Sequence, residues 1–167
     1  MISKDFTDAT LARFAKEVAK YPADQKQSAV MACLAIVQQE LGHVSAESEK
    51  VVADYLGMAP IAVHEVTTFY NMYNLHQLGK YKLNVCTNLP CQLRDGERAL
   101  KHLEQKLGIS MGDTTPDGMF TLQQCECLGA CADSPVLLVN DRTMCSFMTN
   151  DKLDQLVDGL RAAGDKS

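Results

Sequence analysis

Two close pairs of cysteines constrain this chain more than any other feature of its sequence. Cys86 and Cys91 form a C-x4-C, and after 35 intervening residues Cys127 and Cys131 form a C-x3-C. Four thiols held in two short loops make a tetrathiolate metal site when the loops meet. Any fold for this chain therefore has to bring the two loops to one place. The spacing admits two metals. A [2Fe–2S] cluster takes four cysteine thiolates, and C-x4-C spacings occur in such ferredoxins. A structural zinc takes four cysteines as well, with pairs two to four residues apart. The spacing favours the cluster and leaves zinc open.

The rest of the composition narrows the setting. Apolar residues make up 46% of the 167, so a packed core is expected. A formal charge of −5 argues against nonspecific nucleic-acid binding, which needs a basic surface. The opening residues from Met1 to Phe6 show neither a signal peptide nor an Arg-rich transit pattern. No run approaches the roughly 18 apolar residues of a membrane span. Seven cysteines without an export signal point to a reducing compartment, where close pairs bind metal or do redox chemistry.

The chain reads as two halves. Up to Gly79 it is helical throughout. An amphipathic stretch runs from Thr7 to Lys20. Asp24 is placed to cap a long helix through Leu34, Val37 and Leu41, with Gly42 as its stop. Ser45 caps a helix that ends at Gly57, and Pro60 opens another through Val63, Val66, Phe69 and Tyr70. The helix-turn-helix outline carries no DNA-binding reading, because the last helix offers no Arg or Lys to phosphates or bases. After Gly79 the period changes. A strand, Tyr81–Val85, runs into Cys86. A helix is expected from Leu93 to Leu107, then strands at 119–122, 136–139 and 143–148. A last helix is expected to be capped by Asn150 or Asp151. The order β-α-β-β-β-α is that of a thioredoxin-like α/β sandwich. The expected organisation is α/β (α+β), with an N-terminal helical domain over 1–79 and a thioredoxin-like domain over 80–167.

In that fold Cys86 and Cys91 lie where the first strand hands over to a helix, and Cys127 and Cys131 lie between the second strand and Pro135. Gly129 and Ala130 leave room for backbone N–H groups to approach the sulfurs. Leu89 and Leu128 are placed to screen the site from water. A thioredoxin-type dithiol needs C-x-x-C, which the four-residue gap disfavours. Cys33 and Cys145 read as core residues. Cys125 competes with Cys127 for one ligand position, and as the last strand residue it reads as packing. His43, His64, His76 and His102 share no ligand spacing. There is no His-Glu-x-x-His, no dinucleotide fingerprint, no P-loop and no catalytic triad. No catalytic residue is assigned.

Several stretches together resemble a known family. They are Glu65-Val66-Thr67-Thr68-Phe69-Tyr70-Asn71-Met72-Tyr73, Gly79-Lys80-Tyr81, Cys86-Thr87-Asn88-Leu89-Pro90-Cys91 and Glu126-Cys127-Leu128-Gly129-Ala130-Cys131. They resemble the E-type subunits of bacterial NADH:quinone oxidoreductase, respiratory complex I, over roughly Gln27 to Met148. The resemblance implies a thioredoxin-like [2Fe-2S] ferredoxin domain with Cys86, Cys91, Cys127 and Cys131 as ligands and Cys125 outside the motif. It implies an electron-transfer subunit, inactive alone, of a proton-translocating NADH dehydrogenase complex on the cytoplasmic face of the inner membrane. Its partner would be a flavoprotein subunit holding FMN, NADH and a [4Fe–4S] cluster, beside other peripheral-arm subunits. The cluster would sit near the FMN, as a one-electron store or a structural element. The small diaphorase subunit of an NAD-linked hydrogenase or formate dehydrogenase is the alternative, and a zinc-stabilised interaction module is the alternative of another class. The resemblance also raises the expectation of a cis bond before Pro135. The segment from Pro60 to Tyr73 is expected to help form the flavoprotein interface.

Overall fold

The computed structural model describes residues 6–164. The chain divides into two compact units between Gln77 and Leu78.

The first unit is helical: α1 (Asp8–Val18), α2 (Val30–Leu41), α3 (Ala46–Leu56) and α4 (Pro60–Phe69). Local chemistry sets most of these ends. Thr7 accepts a hydrogen bond from the Thr10 N–H at the start of α1. Ser45 and Ser48 form a reciprocal capping box on α3. Gly42 and Gly57 end α2 and α3 in the left-handed conformation, at φ +78° and +66°. Asp24 does not cap α2. Ala23–Ala29 form a 3-10 helix, with Gln25 outside helical geometry, and α2 begins only at Val30. The polar run Asp24–Ser28 has no apolar stripe to bury, so the tighter turn suffices there. Phe14, Leu34, Val37, Val52, Leu56 and Val63 form the fully buried centre, with Cys33 among them. Phe14 stacks on Phe6 at 5.8 Å and edge-on to Tyr55 at 5.3 Å. Each such fully buried side chain contributes about 1.5–3 kcal/mol.

The second unit runs β1 (Tyr81–Cys86), α5 (Leu89–Gln92), α6 (Gly96–Leu107), β2 (Phe120–Cys125), β3 (Leu137–Val139), β4 (Thr143–Cys145) and α7 (Asn150–Gly164). The sheet order is β2-β1-β3-β4. β1 and β2 are parallel, and the other pairs are antiparallel. Leu83, Phe120, Leu122 and Leu137 pack with Leu103 of α6 and Leu153 of α7 in one core. Lys82 and Asn84 alternate with that core face and are buried too. Lys82 forms a 2.7 Å ion pair with Asp141, which also accepts from Asn84. Asn140 and Asp141, both at positive φ, turn β3 into β4.

Three expectations need correction here. The helix expected over 93–107 begins only at Gly96, after the short α5, because Asp95 takes the left-handed conformation just before it. β4 stops at Cys145 rather than 148, because Phe147 at φ +53° turns out of the strand. Its N–H donates to the Asp133 carbonyl. Neither Asn150 nor Asp151 is the cap of α7. Asn150 is already inside the helix, and the Thr149 hydroxyl accepts from the Lys152 N–H.

Candidate metal centre

The parallel register of β1 on β2 sets Cys86 opposite Cys125. The loops leaving both strands therefore emerge at the same end of the sheet, where parallel α/β folds place their ligands. Cys86 is the last residue of β1 and is 2% exposed; Cys91 lies within α5 and is 1% exposed. Cys127 is exposed, and Cys131, at the start of a 3-10 turn (Cys131–Asp133), is half-buried. Cys86, Cys91, Cys125 and Val136 share a small apolar cluster against which Leu128 and Ala130 pack. Leu89, expected to help screen the site, is 64% exposed. The bond before Pro135 is cis.

The thiols stand as two pairs. Cys127 Sγ and Cys131 Sγ are 3.4 Å apart, and Cys86 and Cys91 are buried together in one apolar cluster. Among the described residues no three His, Cys, Asp or Glu side chains converge on one ion position. A two-iron cluster takes one cysteine pair at each iron. The donor set fits that group: two thiol pairs, a buried apolar wall and backbone N–H groups aimed at sulfur.

The local fields differ between the pairs. Burial pushes the Cys86 thiol up, and the Asn88 and Leu128 N–H groups pull it partly back. The Gly129 N–H, 3.4 Å from Cys127 Sγ, draws that thiol below its ordinary range, and the Cys131 S–H helps. Cys131 is raised, chiefly by that same contact with Cys127. Cys125 is 7% exposed, and burial pushes its thiol up to about 12. It packs with Cys86 and Cys91, on the neighbouring strand directly opposite Cys86. Cys33 is buried in the other unit, and Cys145 is only half-buried against the sheet core.

Bonds that need no sulfur tie the two loops together. The Thr87 N–H donates to the Cys125 carbonyl, Asn88 to Glu126 at 2.9 Å, and Arg94 to the Ala132 carbonyl at 2.6 Å. Ser134, 6% exposed, lies between the pairs: its hydroxyl is 3.2 Å from Cys91 Sγ and donates to the Cys131 carbonyl at 2.8 Å. Gly96 presses on the first loop, since a Cβ there would stand 2.7 Å from the Cys91 carbonyl oxygen. Motif reading assigns no role to Asn88, Arg94, Gly96 or Ser134. Only their nearness to the cysteines hints at a role. His64 and His102 are satisfied by carboxylates, those of Glu49 and Asp154.

The sequence pattern of the thioredoxin-like [2Fe-2S] ferredoxins matches residues 14–161. The chain belongs to that family. This ferredoxin is 39% identical over 159 residues to NADH-quinone oxidoreductase subunit 2 of Thermus thermophilus, covering 95% of this chain and 84% of that one. It is 41% identical over 145 residues to the E-type subunit of the NADH-quinone oxidoreductase of Rickettsia conorii, covering 86% of each. To the mitochondrial NADH dehydrogenase [ubiquinone] flavoprotein 2 of Dictyostelium discoideum it is 40% identical over 156 residues, 91% of this chain and 63% of that protein. Among solved structures it resembles the air-oxidised NAD+-reducing [NiFe]-hydrogenase, with a TM-score of 0.68 and 17% identity. The ferredoxin matches over 81% of its own length, which spans 23% of that chain. That likeness is one of fold alone.

Proposed function

We propose that this ferredoxin carries one [2Fe–2S] cluster on Cys86, Cys91, Cys127 and Cys131 and serves as an electron-transfer subunit of an NADH:quinone oxidoreductase. The observation that supports it most is the in-register end of β1 and β2, which gathers both cysteine loops in a chain of this family. Such a cluster accepts and returns one electron at a time. The chain's own residues hold it. The buried Cys86 and Cys91 keep one side from water, the Gly129 N–H offsets negative charge on Cys127, and the Thr87, Asn88 and Arg94 bonds fix the separation of the loops.

In this reading the partner is a flavoprotein subunit that binds FMN, NADH and a [4Fe–4S] cluster, and the ferredoxin's cluster lies near that flavin. The complex, with its other peripheral-arm subunits, sits on the cytoplasmic face of the membrane. The chain's own part is peripheral: none of its described helices is long and apolar enough to cross a bilayer. Residues 1–79 act as the docking domain and 80–167 as the cluster domain. Ile61, Phe69, Tyr70 and Met72 are all exposed, and an apolar group of this kind in one segment marks a protein interface. Deleting residues 1–79 is expected to abolish co-purification with the flavoprotein while sparing the cluster.

Absorption and low-temperature EPR of the anaerobically purified chain, before and after dithionite, test the assignment. A red-brown protein with a one-electron rhombic signal supports it. A colourless protein with one zinc overturns it. The co-purifying partner separates complex I from the diaphorase module of a hydrogenase or formate dehydrogenase, which the hydrogenase-like fold keeps as the second reading.

A further inference from the structure

Among the described residues, Ser134 is the one buried hydroxyl that touches both cysteine loops. Its Oγ lies 3.2 Å from Cys91 Sγ and 2.8 Å from the main-chain carbonyl oxygen of Cys131. With 6% of its surface exposed, it is buried beside both loops. A serine hydroxyl has one proton to give. When Cys91 carries its own proton, both contacts are served in sequence: the Cys91 S–H donates to Ser134 Oγ, and the Ser134 O–H donates to the Cys131 carbonyl. A metal-bound thiolate has no proton to offer. The Ser134 O–H then faces two acceptors, a neutral carbonyl and a sulfur bearing negative charge. Hydrogen bonds to ionised acceptors are about twice as strong as those between neutral groups, and that advantage grows when the sulfur becomes more negative.

We propose that Ser134 is a hydrogen-bond donor to the Cys91 sulfur that favours the reduced state of the cluster, turning from the Cys131 carbonyl toward the thiolate as charge arrives. The inference rests on the ligand assignment above. Its role is positioning and tuning, since hydrogen bonds to cluster sulfurs help set the potential. The Cys131 carbonyl, released when the proton turns, keeps the bond it accepts from the Ser134 main-chain N–H at 3.4 Å. The turn therefore does not strand a buried acceptor.

The test is an EPR-monitored redox titration of the full chain and of Ser134→Ala and Ser134→Thr. It is combined with resonance Raman of the iron–cysteine stretches in H2O and D2O. Loss of the hydroxyl is expected to lower the reduced-to-oxidised ratio at fixed potential about tenfold, a downward midpoint shift of about 59 mV for a one-electron couple. Ser134→Thr restores most of it. The wild type shows a deuterium shift in an iron–sulfur mode that Ser134→Ala lacks. A hydroxyl that only braces the loops would change cluster retention and leave the midpoint alone, and an unshifted Ser134→Ala midpoint overturns the proposal. If Ser134→Ala fails to hold a cluster, the wild-type isotope shift and the Ser134→Thr midpoint decide, and absence of the isotope shift overturns it. Failure of the ligand assignment looks different: the wild type would lack the [2Fe–2S] spectrum, or Cys91→Ala would keep it unchanged. Either result removes the proposal as well.

Discussion

The two cysteine pairs are built on opposite principles. Cys86 and Cys91 ride on regular structure, the end of β1 and the turn α5, and are sealed from solvent. Cys127 and Cys131 ride on a loop and a 3-10 turn, with Cys127 exposed. The first pair is a rigid half-socket in which burial opposes the ionisation of Cys86. The second is a loop-borne clamp in which the Gly129 N–H promotes the ionisation of Cys127, while the Cys131 thiol is raised. Metal binding needs thiolate, so in the proposed assignment Cys127 is the ligand poised to meet iron first and the buried pair is the side that retains it.

The largest expected effect comes from breaking the buried half. Cys86→Ala or Cys91→Ala should reduce iron to background and erase the visible spectrum, because water cannot replace a ligand within a sealed apolar wall. Cys127→Ser should keep measurable iron, since hydroxyl or solvent can occupy an exposed position. Equal loss in iron assays of all three would dissolve the distinction.

A smaller contrast lies in two glycines. Gly96→Ala forces a methyl to 2.7 Å from the Cys91 carbonyl oxygen and should cost about 1–3 kcal/mol as overpacking. Gly129→Ala meets no atom within 4 Å and bears only the strain of φ +77°, about 1–2 kcal/mol. Denaturant unfolding gives both values. Cluster half-life should fall further in Gly96→Ala, and the reverse order would contradict a rigid first half.

Thiol chemistry of the metal-free chain sharpens the comparison further. Because Cys127 is held below its ordinary range and Cys86 above it, iodoacetamide should label Cys127 well before Cys86 near neutral pH. Cys33, buried in the helical unit, should label last. Peptide mass spectrometry over time reads the order directly, and early labelling of Cys86 would reverse the assignment of roles.

The smallest effect belongs to Cys33 itself. Burial, with Glu17 adding to it, raises this thiol from 9.0 to about 12. The unfolded chain ionises first, so the contribution is intact below pH 9. It declines as pH climbs from 9 toward 12. Alkaline thermal melts of the full chain should show that slope in wild type and a shallower one in Cys33→Ala, where Cys125, also raised to about 12, still contributes. An unchanged slope would assign it to other groups.

The elements legible in advance were those whose ends carry their own chemistry. α3 announces itself by Ser45 and Gly57, and β1 by alternation into Cys86. The break at Asp95 was hidden, because Leu93 to Leu107 keeps helical periodicity straight through it. The break goes with the close seat of Gly96 against the Cys91 carbonyl, which hydrophobic periodicity does not register. Phe147 was hidden because its turn is held by Asp133, fourteen positions away. At the candidate site, spacing singles out the cysteines, whereas the contacts of Ser134 to Cys91 and of Arg94 to Ala132 join residues 43 and 38 apart. No local pattern encodes such pairings.

The loop-to-loop bonds of Thr87, Asn88 and Arg94 have a consequence for how such a protein matures. They need no sulfur, so the receptor can be finished before any iron arrives. A zinc finger, by contrast, folds only as its metal binds. In the proposed assignment loading can follow folding, and a prebuilt cluster handed over by a carrier would enter a waiting mould rather than organise a loose chain.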